Sequence, residues 1–120
     1  MMKIATMGPI HSDGLSILEK NGCNVFEVTD FSLDNLIATL QDVDGVALRT
    51  AKLTKDVLEK CHKLKIVSRH GVGYDNVDLN YLNEKKIALA VTGTANAVTV
   101  AEHVMAMFLN VCKIIKQSDR

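Results

Sequence analysis

The sequence predicts an α/β domain in which five parallel strands form a doubly wound sheet with helices on both faces. Short apolar runs alternate along the chain with segments whose apolar residues recur every three or four positions, as in successive βαβ units. The apolar runs do not alternate with polar residues, which is typical of strands buried on both faces. At 120 residues, the chain is long enough for one domain with its own hydrophobic core.

The five predicted strands are the short apolar runs. They cover residues 3–7, 24–28, 45–48, 66–67 with their neighbours, and 87–91. In sheets of this kind, ligands bind at the carboxyl ends of the strands. The loops at residues 8–13, 49–52 and 69–76 are therefore predicted to form any binding site.

Four helices are predicted between the strands. They cover residues 11–20, 33–40, 55–61 and 79–85. Ser32, Thr54 and Asp78 precede the last three helices and are suited to cap them, because their side-chain oxygens can accept hydrogen bonds from first-turn amides.

A fifth helix is predicted from residue 100 to 115, where twelve of sixteen residues are apolar. Thr99 and Glu102 have the spacing of a capping box at its start. A helix that packs on one side of a small domain needs only an apolar stripe, so this one is expected to contact more than one partner. We expect residues 1–97 to form the sheet domain and residues 98–120 to form a crossover helix that leads to a domain beyond the sequence.

The composition excludes several classes of function. Fourteen basic and fourteen acidic residues cancel, and aromatic residues make up only 4% of the chain, so neither nucleic acid nor a membrane surface is an expected partner. Three widely spaced cysteines favour reduced thiols and a cytoplasmic location. The first residues lack the pattern of a signal peptide, and the longest apolar stretch is too short to span a membrane.

The segment from Ser68 to Asp78, SRHGVGYDNVD, is the most informative loop. Gly71 and Gly73 let the backbone turn sharply and approach a ligand closely. Consecutive amides in such a turn can bind an anion. The loop lacks the third glycine of a dinucleotide fingerprint, so it is not predicted to bind the cofactor phosphates. The alternative is a tight turn that only closes a βα unit.

Two arginines end neighbouring predicted strands. Arg49 follows the third strand and Arg69 ends the fourth, so both are expected at the same edge of the sheet. Guanidinium groups bind carboxylate and phosphate oxygens in pairs, which predicts an anionic ligand at this edge. No metal site is predicted, because Cys61-His62 has no further ligand at usable spacing.

Two long motifs resemble the D-2-hydroxyacid dehydrogenase family. The stretch from Arg69 to Asp78 is similar to the family pattern R-x-G-x-G-x-D-N-[IV]-D, and Asn96 to His103 is similar to N-A-x-[ST]-V-A-E-H. The segment from Arg49 to Thr54 resembles the branch of the family that acts on 3-phosphoglycerate, a substrate of serine biosynthesis. Gly93-Thr94 departs from the usual threonine-proline and leaves the second motif intact.

The resemblance implies a flavodoxin-like domain that binds the substrate of an NAD-dependent oxidoreductase, which interconverts a D-2-hydroxy acid and its 2-oxo acid. The implied substrate-binding residues are Gly71, Val72 and Gly73 at the carboxylate, Arg49 and Arg69 at the phosphate, and Asn96 near the substrate. Val100, together with Val72, is implied to contact the nicotinamide of NAD.

The family's catalytic arginine, glutamate and histidine and its cofactor loop have no matching positions in this sequence. We therefore expect no catalytic residue here, and an isolated chain without activity. Two alternatives stay open: a glyoxylate or hydroxypyruvate reductase of the same family, and a non-enzymatic module that binds a small acid. The apolar last helix is the expected interface of a homodimer.

Overall fold

In a computed structural model of the chain, which describes residues 1–114 and 117, five strands form one parallel sheet in the order β2-β1-β3-β4-β5. The strands are β1 (Met2–Met7), β2 (Cys23–Val28), β3 (Gly45–Leu48), β4 (Ile66–Arg69) and β5 (Ala88–Ala90). This is the strand order of flavodoxin-like sheets, so the predicted fold class is confirmed. The predicted bounds hold within two residues, and β3 matches at both ends.

Five helices follow the strands. They are α1 (Ser12–Lys20), α2 (Leu33–Leu40), α3 (Lys55–Leu58), α4 (Leu79–Lys85) and α5 (Ala97–Lys113). The prediction for α3 was too long, because the chain turns away after Leu58 and Cys61 lies outside the helix. Within the described part of the chain, no helix is both long and apolar enough to cross a bilayer.

The caps that the sequence predicts are only partly present. Asp78 caps α4, since its Oδ1 accepts a hydrogen bond from the amide of Tyr81 at 3.0 Å. Ser32 and Thr54 occupy the cap positions of α2 and α3, but neither side chain accepts a cap hydrogen bond. In α1 the cap is His11, whose Nδ1 accepts from the amide of Asp13 at 3.2 Å.

The predicted capping box at the start of α5 is wrong. The helix begins at Ala97 with Asn96 as its cap residue, so Thr99 lies inside the first turn and cannot act as the cap. Ala97 and Val98 therefore belong to the first turn of the helix, and the chain turns at residues 93–96 just before it. The helix ends at Lys113, and Ile115, the predicted last residue, lies outside the described residues.

The hydrophobic core lies on one face of the sheet. It is formed by alternate strand residues and by the inner faces of α2, α3 and α4, with Leu48, Leu53, Leu58 and Leu82 among its fully buried side chains. Because α1 contributes no buried residue, the opposite face is covered only in part. Ile66, the first residue of β4 on that face, is 40% exposed.

Asp44 joins the amino ends of three strands, at the edge of the sheet opposite the predicted loops. Its carboxylate accepts from the amide of Lys3 at 2.9 Å and from Nζ of Lys65 at 3.1 Å. The backbone hydrogen bond from Lys3, followed by the bond from Lys65, lowers the pKa of this carboxyl. The charged form is therefore favoured where β1, β3 and β4 begin.

Helix α5 projects away from the sheet. Each of its residues is exposed, including large apolar side chains such as Val98 at 72% and Phe108 at 61%. The described chain consequently extends over 59 Å, with a radius of gyration of 18.5 Å, where a compact chain of this length would have about 14 Å.

Candidate functional site

Three loops meet at the carboxyl edge of the sheet because the strands that precede them are in register. Met7 pairs with Leu48, and Leu48 pairs with Arg69. Backbone hydrogen bonds continue beyond the strands: the amide of Arg49 donates to Met7 at 3.2 Å, and that of His70 donates to Leu48 at 2.7 Å. The predicted convergence of the loops after β3 and β4 is therefore observed.

The loop after β4 forms a turn with two free amides. The Gly71 amide donates to the carbonyl of Arg69 at 2.9 Å, and its carbonyl accepts from Thr92 at 3.1 Å. The amides of Val72 and Gly73 donate to no acceptor among the residues that the structure describes. Both residues are exposed, so these two consecutive donors can bind an anion from solution.

The two glycines of this turn are required for different reasons. At Gly71, φ is +155°, and a Cβ would lie 2.5 Å from Nη1 of Arg69, closer than any real contact. At Gly73, φ is not in the positive range, and a Cβ would meet only Oδ1 of Asp75, at an ordinary 3.6 Å. The positive φ therefore favours glycine at position 71, where a Cβ would also force Arg69 to move, whereas a Cβ at position 73 would make only an ordinary contact with Asp75.

The two arginines share the edge but differ in their surroundings. Arg69 is half-buried: its Nε donates to Oδ1 of Asn76 at 3.1 Å, and its Nη1 donates to the carbonyl of His70. Arg49 is exposed, and its side chain lies against Gly8, where φ is +106°. In this structure Arg69 is held within its own loop, whereas the guanidinium of Arg49 is available to a ligand.

Asn76 connects the two loops. Its Nδ2 donates to the carbonyls of Ala51 at 2.8 Å and Arg49 at 3.3 Å, and its own carbonyl accepts from the amide of Leu53 at 2.9 Å. From the sequence, Asn76 is expected only to order its own turn and the helix that follows, and its bonds to the loop after β3 were not predicted. The available signal was the asparagine itself, a residue that bonds readily to nearby backbone groups in turns.

A groove with a volume of about 390 Å³ adjoins the turn on the partly covered face of the sheet. Its floor is apolar and includes Ile4, Leu18 and Ile66, while Arg69 and His70 lie at its upper end. The apolar floor of the groove thus differs in chemistry from the two free amides, which are polar donors. The groove is part of the sheet surface that α1 leaves uncovered.

The remaining predicted residues lie beyond β5. Asn96 is the cap residue of α5, and its carbonyl accepts from the amide of Val100 at 3.0 Å. Its side chain makes no cap hydrogen bond, and Val100 is 51% exposed. Gly93, with φ of +57°, makes the bend between β5 and α5. The structure records no hydrogen bond between Asn96 or Val100 and the Val72–Gly73 amides among the described residues.

The surroundings of Cys61 give no support to a metal site. Burial raises the pKa of the Cys61 thiol to about 11, and its Sγ donates to the carbonyl of Val57 at 3.3 Å. Within the described ranges, no group of three or more histidine, cysteine or acidic side chains is placed to hold a metal ion.

The chain matches known proteins along nearly its whole length. Residues 4–115 match the family model described as D-isomer specific 2-hydroxyacid dehydrogenase, catalytic domain. A D-3-phosphoglycerate dehydrogenase of Methanocaldococcus jannaschii is 36% identical over 119 residues, which cover 98% of this chain and 22% of that protein. The chain therefore spans about a fifth of the length of this curated relative.

Solved structures agree with the sequence match. The NAD⁺-bound 3-phosphoglycerate dehydrogenase of Entamoeba histolytica superposes with a TM-score of 0.78 at 31% identity, over 91% of this chain and 38% of that one. An NADPH-dependent glyoxylate/hydroxypyruvate reductase of Sinorhizobium meliloti gives a TM-score of 0.77 at 26% identity, over 91% of this chain and 34% of that one. The family match, the fold and the GVG turn agree, and the chain belongs to the D-isomer specific 2-hydroxyacid dehydrogenase family.

Proposed function

We propose that this chain is the substrate-binding part of an NAD-dependent oxidoreductase that interconverts a D-2-hydroxy acid and its 2-oxo acid. The observation that carries the proposal is the pair of free, exposed amides at Val72 and Gly73, at the ligand-binding edge of the sheet. A carboxylate placed there accepts two hydrogen bonds from the backbone. Gly71 shapes the turn, and Gly73 has no side chain to cover its exposed backbone where the ligand would approach.

The substrate that we propose is 3-phosphoglycerate. An acid with a second anionic group needs a cation beside its carboxylate site, and the exposed guanidinium of Arg49 suits a phosphate. Arg69 contributes from within the turn, where its position fixes the backbone that presents the amides. The relative from Methanocaldococcus jannaschii, named a D-3-phosphoglycerate dehydrogenase, supports this choice.

Replacing Arg49 by alanine is the direct test of the phosphate role. We expect the affinity for 3-phosphoglycerate to fall about tenfold or more, because a charge-assisted hydrogen bond is lost, while the affinity for glyoxylate changes little. Titration of both acids into ¹⁵N-labelled chain, followed by the shifts of the Val72 and Gly73 amides, measures both affinities. Lys52→Ala, which removes an exposed cation from the same loop, is the matched control. Equal losses for the two acids would argue against a phosphate site.

A glyoxylate or hydroxypyruvate reductase is the second candidate within the family. It is favoured by the structural match to the Sinorhizobium meliloti enzyme, and it requires only the carboxylate site. Unchanged binding of both acids to the Arg49→Ala variant would favour this candidate. A non-enzymatic module that binds small acids would use the same two amides, but it offers no reason for an apolar helix that leaves the domain.

We infer a division at residue 97, with residues 98–120 crossing to an NAD-binding domain. The support is α5, which leaves the sheet domain with its apolar side chains exposed, and the small share of its relatives that the chain spans. In this arrangement Asn96 lies between the two domains near the substrate, and Val72 and Val100 contact the nicotinamide. NAD would accept or donate the hydride, and this domain would hold the acid. The three free cysteines support a cytoplasmic location, and α5 is the proposed homodimer contact.

The chain by itself is expected to show no turnover. We assign the proton-transfer groups and the cofactor loop of the family to another domain, because this sequence holds no positions that match them. The measurement is NADH absorbance, as formation of NADH from NAD⁺ with 3-phosphoglycerate and as loss of NADH with glyoxylate, and the same assay on a complete family member is the positive control. Measurable turnover by the chain alone would contradict the proposed assignment of the catalytic groups.

A further inference from the structure

The side chain of Asn76 joins the carboxylate-binding turn to the loop that carries Arg49. Its Oδ1 accepts from Nε of Arg69 at 3.1 Å on one side. On the other side its Nδ2 donates to Ala51 and Arg49, at 2.8 and 3.3 Å. One amide group thus bonds to both loops at once.

The backbone reinforces the same junction. The carbonyl of Asn76 accepts from the amide of Leu53, and Leu53 and Val77 form an isolated parallel bridge. Leu53 and Val77 are both buried, so the far end of the junction is fixed in the core. At the near end, Arg49 and Val72 are exposed, and the Asn76 side chain bonds to the backbone carbonyl of Arg49.

We propose that Asn76 is a positioning residue that sets the distance between the Val72–Gly73 amides and the guanidinium of Arg49. The inference rests on the proposed function, because it concerns an acid that is held at both ends. A ligand that contacts two anion-binding groups gains binding affinity from the second group only if the distance between the two groups is fixed before the ligand binds. Asn76 therefore determines the preference for acids with a second anionic group, although it touches no ligand.

The experiment compares 3-phosphoglycerate with D-glycerate, which lacks only the phosphate. Both are titrated into ¹⁵N-labelled wild-type chain and the Asn76→Ala variant, with amide shifts as the readout. We expect the wild type to prefer 3-phosphoglycerate about tenfold, as for one added charge-assisted hydrogen bond. In Asn76→Ala the preference is expected to disappear, whereas D-glycerate still shifts the Val72 and Gly73 amides. If the variant were only less well folded, its affinity for both acids would fall equally.

The control is Asn83→Ala, which removes an exposed asparagine from α4 whose side chain makes no recorded hydrogen bond in the described chain. It should retain the wild-type preference. A second measurement needs no variant: in the wild type, 3-phosphoglycerate but not D-glycerate should also shift the Ala51 and Lys52 amides. This measurement decides the matter if Asn76→Ala does not fold.

The outcomes separate the two proposals. If Asn76→Ala keeps the tenfold preference, or if 3-phosphoglycerate leaves Ala51 and Lys52 unshifted, the positioning role is overturned while the carboxylate site stands. If neither acid shifts the Val72 and Gly73 amides of the wild type, the proposed function fails, and the positioning role fails with it.

Discussion

Replacing Gly73 by alanine is expected to remove binding of 2-hydroxy acids while leaving the thermal stability of the chain unchanged. A Cβ at this position makes only an ordinary contact with Asp75, and the backbone is not in a positive-φ conformation, so the fold tolerates it. We expect the added methyl group to crowd a carboxylate that approaches the two exposed amides. A loss of at least about tenfold in affinity follows if either backbone hydrogen bond to the carboxylate is prevented.

Gly71→Ala is the matched comparison and should behave in the opposite way. Its φ of +155° is one that residues with a side chain rarely adopt, and its Cβ would push the guanidinium of Arg69 away from its hydrogen bonds to Asn76 and His70. We expect this variant to lose about 1–3 kcal/mol of stability, as when hydrogen bonds of a half-buried charged group are broken.

Thermal unfolding and amide-shift titration with D-glycerate distinguish the two variants. The expected pattern is normal stability with lost binding for Gly73→Ala, and lowered stability for Gly71→Ala. Normal binding by a stable Gly73→Ala variant would show that the carboxylate does not approach over this glycine. The proposed substrate site would then have to be moved elsewhere on the carboxyl edge.

The order of strands and helices could be predicted from the sequence because strands that are buried on both faces appear as short apolar runs. The runs around β3 and β4 are short and apolar, and the helical spacing between them is regular. The helix ends were harder to predict. Thr99 and Glu102 satisfy the capping-box pattern, yet the helix starts at Ala97, because cap-forming residue types also occur inside helices and the local pattern does not show where the preceding chain bends.

The site was predictable as a set of loops but not as a set of contacts. The sequence places Arg49 and Arg69 at one edge, and the structure agrees, yet their equivalence was an oversimplification. Arg69 is engaged by Asn76 and His70, whereas Arg49 is exposed. The partners of Arg69 lie one and seven positions along the chain. The bonds from Asn76 to the loop after β3 span 25 and 27 positions, and local sequence patterns carry no information at that range.

Helix α5 leads to the second prediction of large effect, which concerns association. Its polar side chains recur at three- and four-residue spacing and form one narrow face: Thr99, Glu102, His103, Asn110 and Lys113. The rest of its surface is apolar and exposed, with Val104 at 51%, Phe108 at 61% and Val111 at 75%. A helix of 17 residues, about 25 Å long, with such a surface is expected to be covered by a partner.

The isolated chain is therefore expected to self-associate through α5, and changing Val104, Phe108 and Val111 together to glutamine should give a monomer. Because α5 buries none of its residues in the sheet domain, the thermal unfolding of that domain should be unchanged. Sedimentation velocity of both proteins over a range of concentrations measures the effect, and Ala106→Gln with Asn110→Gln, on the polar face, is the control.

If the unmodified chain is monomeric throughout the range, then α5 does not form the proposed homodimer contact. If instead the glutamine variant unfolds at a lower temperature, α5 packs on its own sheet in solution, and the division at residue 97 would have to be abandoned.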